Sequence, residues 1–67
     1  MIRVRINNQT KYYKKRLSVR QLLEAEYSPG KMTICKINGK LIRRQSYQET
    51  KIKENDEIVI IEIVGGG

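Results

Sequence analysis

The 67-residue chain has no histidine, tryptophan or phenylalanine, and only one cysteine and one proline. One cysteine cannot close an internal disulfide. With no histidine beside it, a dedicated transition-metal site is not expected either. Without Trp and Phe the core has to be aliphatic. No apolar run approaches the roughly 20 residues that a membrane-spanning helix needs. Met1 leads directly into Ile2-Arg3-Val4-Arg5-Ile6, a strand pattern, so no signal peptide is expected and the expected compartment is cytoplasmic. The length allows one domain, and a domain this small buries only about 60% of the surface its unfolded chain exposes. A deep substrate pocket would consume the few apolar side chains available. Such a chain presents a surface or a tail to a larger partner, and it is not expected to be an enzyme.

Acidic residues are scarce in the first part of the chain. The net charge is +7, and residues 1–20 hold seven basic side chains and no acid. Residues 48–67 reverse the balance, with Lys51 and Lys53 against Glu49, Glu54, Asp56, Glu57 and Glu62. The basic half suits a nucleic-acid or acidic-protein partner. It equally suits a solvated strand face that blunts an exposed sheet edge.

Ile2, Val4 and Ile6 alternate with Arg3, Arg5 and Asn7, the signature of a half-buried strand. Residues 7–10 read as a turn and residues 11–16 as a polar second strand. Ser18-Val19-Arg20-Gln21 is a capping box, with Leu17 and Leu22 spaced as a hydrophobic staple. It predicts a short helix ending near Tyr27, because Pro29-Gly30 prevents continuation. Residues 32–37 read as a third strand, Asn38-Gly39 as a type I′ hairpin turn, and residues 40–42 as the return strand. Residues 43–51 are polar and irregular, pinned by Tyr47. After a turn at residues 54–56 comes the most apolar strand, Glu57 to Val64, apolar on both faces and therefore expected at the sheet centre. This order predicts an α+β chain: a mixed sheet of four to five strands with one helix packed on one face. That is the β-grasp arrangement of ubiquitin, with the first and last strands adjacent in the middle. Residues 1–64 are expected to form this domain and residues 65–67 a flexible glycine tail.

Gly65-Gly66-Gly67 follow the last strand without a spacer. A frayed end is one reading. The chemical reading is an activation handle. Residues without Cβ pass through a narrow enzyme channel and adopt extended conformations of either hand. The Gly67 carboxylate could then attack the α-phosphate of ATP. The resulting acyl-adenylate is open to a sulfur nucleophile, and the product is a C-terminal thiocarboxylate.

The stretch from Ile37-Asn38-Gly39-Lys40-Leu41-Ile42-Arg43-Arg44, with Tyr47, through Lys53-Glu54-Asn55-Asp56-Glu57 to the terminal glycines resembles the ThiS family, the sulfur carriers of thiamine biosynthesis. Three positions depart from that pattern: Arg43 replaces a usual Pro, Tyr47 a common Trp, and Asn55 a usual Gly. Asn tolerates positive φ, so the third turn is expected to survive. The resemblance implies that Gly67 is the adenylation and thiocarboxylate acceptor, with Gly65 and Gly66 threading the channel. It implies an E1-like adenylyltransferase (ThiF-like) using ATP and Mg²⁺, a cysteine desulfurase as sulfur source, and thiazole synthase (ThiG-like) as acceptor. The chain itself would bind no cofactor.

Cys35, mid-strand, reads as a small buried hydrophobe and not as a sulfur relay. The four tyrosines are dispersed, which favours packing over base stacking. On the last strand, Val59, Ile61 and Ile63 are expected to face the helix. Ile58, Ile60, Glu62 and Val64 would then face outward as a partner-docking row, with Arg3 and Arg5 on the same face and Glu62 pairing with one of them. Two alternatives remain: the small subunit of molybdopterin synthase, and a basic S4-like RNA-binding module. The second lacks its paired basic helices here, and a glycine tail has no role in it.

Overall fold

A computed structural model describes residues 1–27 and 32–63. Five strands and one α-helix follow in the order β1 (Ile2–Ile6), β2 (Gln9–Tyr13), α1 (Val19–Glu26), β3 (Met32–Ile37), β4 (Lys40–Ile42) and β5 (Glu57–Ile63), with a 3₁₀ turn at Arg44–Ser46 before β5. They form one mixed sheet in the order β2-β1-β5-β3-β4. The first and last strands are neighbours and run parallel, with Ile6 beside Ile58; the other pairs are antiparallel. This is the β-grasp architecture expected from the sequence.

The first hairpin is tighter than its composition suggested. Asn7 and Asn8 both take positive φ (51° and 68°), so they form a two-residue turn. β2 therefore starts at Gln9 instead of residue 11 and ends at Tyr13. The Asn38-Gly39 turn has the expected geometry (52° and 82°), and Asn55 takes a φ of 69° where the family pattern has Gly.

Helix α1 is eight residues long, too short to persist in isolation. Its N-terminus is closed reciprocally: Gln21 N–H donates to Ser18 Oγ at 3.1 Å, and Ser18 N–H donates to Gln21 Oε1 at 3.0 Å. Tyr27 forms the C-cap, as expected; Pro29 and Gly30, the residues expected to stop the helix, lie outside the described residues. Val19 and Leu22 are fully buried and bind the helix to one face of the sheet. The core there comprises Val4, Ile6, Cys35, Tyr47, Ile52, Ile58 and Ile60. Cys35 is fully buried, and that burial pushes its thiol pKa up to about 11. It is a core residue. Tyr47 pins residues 43–51 by donating its hydroxyl to the Thr33 carbonyl at 3.2 Å.

Ile52 had no place in the sequence reading, yet it is fully buried. It sits in a segment with no period, and only its tertiary bonds fix it. Its N–H donates to the Leu17 carbonyl at 2.8 Å, beside the Ser18–Lys51 bridge.

Candidate functional site

The site is the end of β5 and whatever holds it. β5 is paired with β3 over six of its seven residues, from Ile58 opposite Ile37 to Ile63 opposite Met32. On its other side β1 pairs only at Arg5–Glu57 and Ile6–Ile58, because the chain turns away at Asn7. A side chain continues the ladder. Asn7 Oδ1 accepts from Ile60 N–H at 2.8 Å, and Asn7 Nδ2 donates to the Ile60 carbonyl at 3.0 Å. The Asn7 amide stands in for one more peptide unit of β1. Its main-chain N–H also donates to the Ile58 carbonyl at 2.9 Å. This clamp had no signal in the sequence beyond an Asn in a turn.

The start of β5 is fixed by two coupled turns. Asn38 Nδ2 donates to Asp56 Oδ1 at 3.0 Å, and Lys53 N–H donates to Asp56 Oδ2 at 2.8 Å. Asn38 Oδ1 in turn accepts from Glu57 N–H at 3.0 Å. The buried Asp56 carboxylate thus has partners on both oxygens, which is what makes burying it tolerable.

The facing of β5 is the reverse of the expectation. Ile58 and Ile60 are 0% and 4% exposed and point into the core, whereas Val59, Ile61 and Ile63 are 39%, 48% and 42% exposed on the outer face. Ile58 and Ile60 are therefore not part of a docking row. Both alternating sets of β5 are apolar, so alternation could not choose between them. The parallel register decides it, by placing Ile58 beside the inward Ile6. Glu62 does not share the outer face with the arginines, where the sequence pattern predicts it. By alternation it belongs to the core face, where it nonetheless remains exposed, close enough to help raise the Tyr27 phenol pKa, with burial the larger cause. Glu62 does not pair with Arg3 or Arg5. Arg5 lies 3.8 Å from Glu57, and Arg3 donates to Asn55 Oδ1 at 3.1 Å. Both arginines are on the outer face, as expected. Val64, Gly65, Gly66 and Gly67 lie outside the described residues.

An outer apolar row therefore exists, displaced by one residue. Met32, exposed, is the cross-strand partner of Ile63, and the half-buried Ile34 that of Ile61. Among the described residues no group of three or more His, Cys, Asp or Glu side chains could hold a metal ion. The thiol is sealed in the core, and the one buried carboxylate is occupied by the turns. The geometry offers a sheet whose central strand is held at Glu57 and at Ile60 and is described as far as Ile63.

The ThiS family model matches residues 4–67. The chain belongs to the ThiS family. A crystal structure of the thiamine biosynthesis protein (ThiS) from Geobacter metallireducens superposes with a TM-score of 0.82 at 22% identity, covering 98% of this chain and all of that one. A solution NMR structure of a thiamine biosynthesis protein from the same organism gives 0.77 at 22% identity, covering 98% of this chain and 88% of that one. At this identity the two structures speak for the shared fold. Among curated proteins none matches the chain. Membership of the ThiS family supports a small sulfur carrier of thiamine biosynthesis that works with partner enzymes. No helix among the described residues is long and apolar enough to cross a membrane.

Proposed function

We propose that this ThiS-family chain carries sulfur on the carboxyl carbon of Gly67, in the cytoplasm, for thiazole formation. The observation that supports it most is a family match that runs through the terminal glycines, on a platform whose central strand leads directly into them. An E1-like adenylyltransferase with ATP and Mg²⁺ activates Gly67. One carboxylate oxygen attacks the α-phosphate, pyrophosphate leaves, and an acyl-adenylate forms. The terminal sulfur of a persulfide, charged by a cysteine desulfurase, attacks the carbonyl carbon and expels AMP. A thiol then cleaves the resulting acyl disulfide, leaving the thiocarboxylate and a new disulfide on the enzyme side. Thiazole synthase takes the sulfur. Gly65 and Gly66 present no Cβ to the channel walls, so the tail reaches the nucleotide in an extended form.

The test is intact-mass measurement after incubation with the adenylating enzyme, ATP, Mg²⁺ and a persulfide donor. The expected product is heavier by the exchange of one oxygen for sulfur, and a chain lacking Gly67 gains nothing. A chain that stays at its starting mass while a known ThiS protein is converted in the same mixture would refute the proposal. Sulfur delivery to thiazole synthase, compared with delivery to the large subunit of molybdopterin synthase, assigns the pathway.

A further inference from the structure

The outer sheet face has a second half that the tail chemistry does not use. Beside the apolar row, β1 and β2 enclose an open cleft of about 360 Å³ lined by Arg3, Arg5, Asn8, Thr10, Tyr12 and Asn55. Tyr12 is the cross-strand partner of Arg3, and Thr10 that of Arg5. Two guanidinium groups, a phenol and a hydroxyl therefore line one wall. Among the described residues neither guanidinium has a carboxylate partner closer than 3.8 Å, although the Glu54 carboxylate accepts from the Arg3 main-chain N–H at 3.0 Å. The Arg3 guanidinium donates to a neutral amide, and Arg5, about half exposed, has a 3.8 Å ion pair with Glu57. Two fork-shaped donors lining one cleft suit carboxylates.

We propose that this cleft receives carboxylate side chains from a protein partner that covers the outer sheet face, resting on the carrier reading above. The occupant follows from charge and continuity. Arg5 lies beside Glu57, and Val59 follows on the same face, so the cleft merges into the apolar row. A matching surface sets an apolar ridge next to an acidic cluster. A second copy of this chain fits poorly, because it would bring Arg3, Arg5 and Lys36 against a like-charged face, with only Glu54 and Glu57 in return, both already beside the arginines. A nucleic acid needs a continuous basic track. Here Glu54 and Glu57 border the arginines, and the apolar row interrupts the path. The cleft and the strand end lie at opposite ends of β5. Arg3 aligns two residues before Glu57, so the two are about 26 Å apart at roughly 3.3 Å per residue. A partner anchored at both ends fixes the direction in which the glycines enter its active site.

The test titrates the isotope-labelled full chain, followed by NMR, with a blocked hexaglutamate peptide, with inorganic phosphate and with an oligouridylate. The peptide is expected to move the Arg3, Arg5, Thr10 and Tyr12 signals saturably, with affinity falling as salt is added. Arg5→Gln is expected to weaken it about five- to tenfold while leaving the rest of the spectrum in place. Arg3→Gln is the second variant, since it removes the other guanidinium at the cost of one bond to Asn55. The proposal is overturned if shifts spread evenly over all basic residues and persist in both variants, or if the oligouridylate binds this cleft more tightly than the peptide. It is also overturned if phosphate alone saturates the cleft as tightly, which makes it a small-anion site. The titration does not involve Gly67, so loss of sulfur loading leaves its result standing. With the adenylating enzyme, Arg5→Gln is expected to raise KM for the carrier with kcat unchanged.

Discussion

Asn7 stands where the parallel ladder between β1 and β5 would otherwise lose its partner. Its amide makes two bonds to Ile60, one in each direction. Asn7→Gly keeps the positive φ but removes both bonds, so it is expected to cost about 1–3 kcal/mol in denaturant unfolding. Asn8→Gly, in the same turn with the same sign of φ, should stay within about 0.5 kcal/mol of the parent. Equal effects at the two positions would mean that only turn conformation matters. Cys35 sets a pH dependence. The unfolded thiol ionises near 9 and the folded one near 11. Its burial therefore adds stability that is fully present below pH 9 and is lost as pH rises through 11. The loss is at most about 2–3 kcal/mol. Unfolding curves at pH 8 and 10.5 should differ accordingly, and Cys35→Ala should reduce the difference. The Tyr13 phenol, also raised by burial and by its bond to Glu26, acts in the same direction at higher pH.

Among the elements, α1 was the most legible. Its capping box is written in four consecutive residues, and the bonds it predicts are the bonds that form. Ser18→Ala should cost about 1 kcal/mol, with the loss measured by thermal or denaturant unfolding. Ser18 is buried as well as capping, which places the expected value at or above that centre. β5 was legible as an element and as the sheet centre, but its facing was not. Seven residues with apolar side chains in both alternating sets carry no preferred side. The facing found here predicts a sharp contrast. Ile58→Asp puts a carboxylate into a fully buried site and should cost more than about 4 kcal/mol, enough to unfold a domain of this size. Ile61→Asp adds a charge to the outer face and should leave a folded protein by circular dichroism. Folding of the first variant and unfolding of the second would reverse the assignment.

For the whole molecule, the proposed division of labour is between the described sheet-and-helix domain and the glycines that end the sequence. The described core draws on residues between Val4 and Ile60. Deleting Gly67 is therefore expected to abolish sulfur loading while shifting the unfolding midpoint by less than a degree or two, as heat-unfolding and intact-mass measurements on the same sample would show. The excess positive charge is distributed unevenly. Lys11 and Arg20 have close carboxylate partners in Glu26 and Glu24, at 3.3 Å each. Such exposed pairs contribute little to stability. Arg3 and Arg5 border the cleft on the outer sheet face, Arg5 with a longer 3.8 Å pair to Glu57, and the proposed acidic partner would give that charge a place in recognition.

The amino-acid order by itself determined the list of elements, both turns centred on Asn-Gly and Asn55, the helix cap and the glycine tail. Each of these is set by residues within a few positions of one another. Local rules on φ, capping and periodicity suffice for them. The tertiary structure decided which face of β5 is buried, where Ile52 goes, and that Asn7 and Asp56 are structural. It also brought Arg3, Arg5, Thr10 and Tyr12 around one cleft. Those outcomes depend on pairings made across the fold: β1 with β5, more than 50 residues apart, for the facing of β5 and the Asn7 clamp, Leu17 with Ile52 and Asn38 with Asp56 for the connecting segments, and the β1–β2 register for the cleft. A register shift of one residue reverses every side chain on a strand, and no local pattern in a strand apolar on both faces can forbid it.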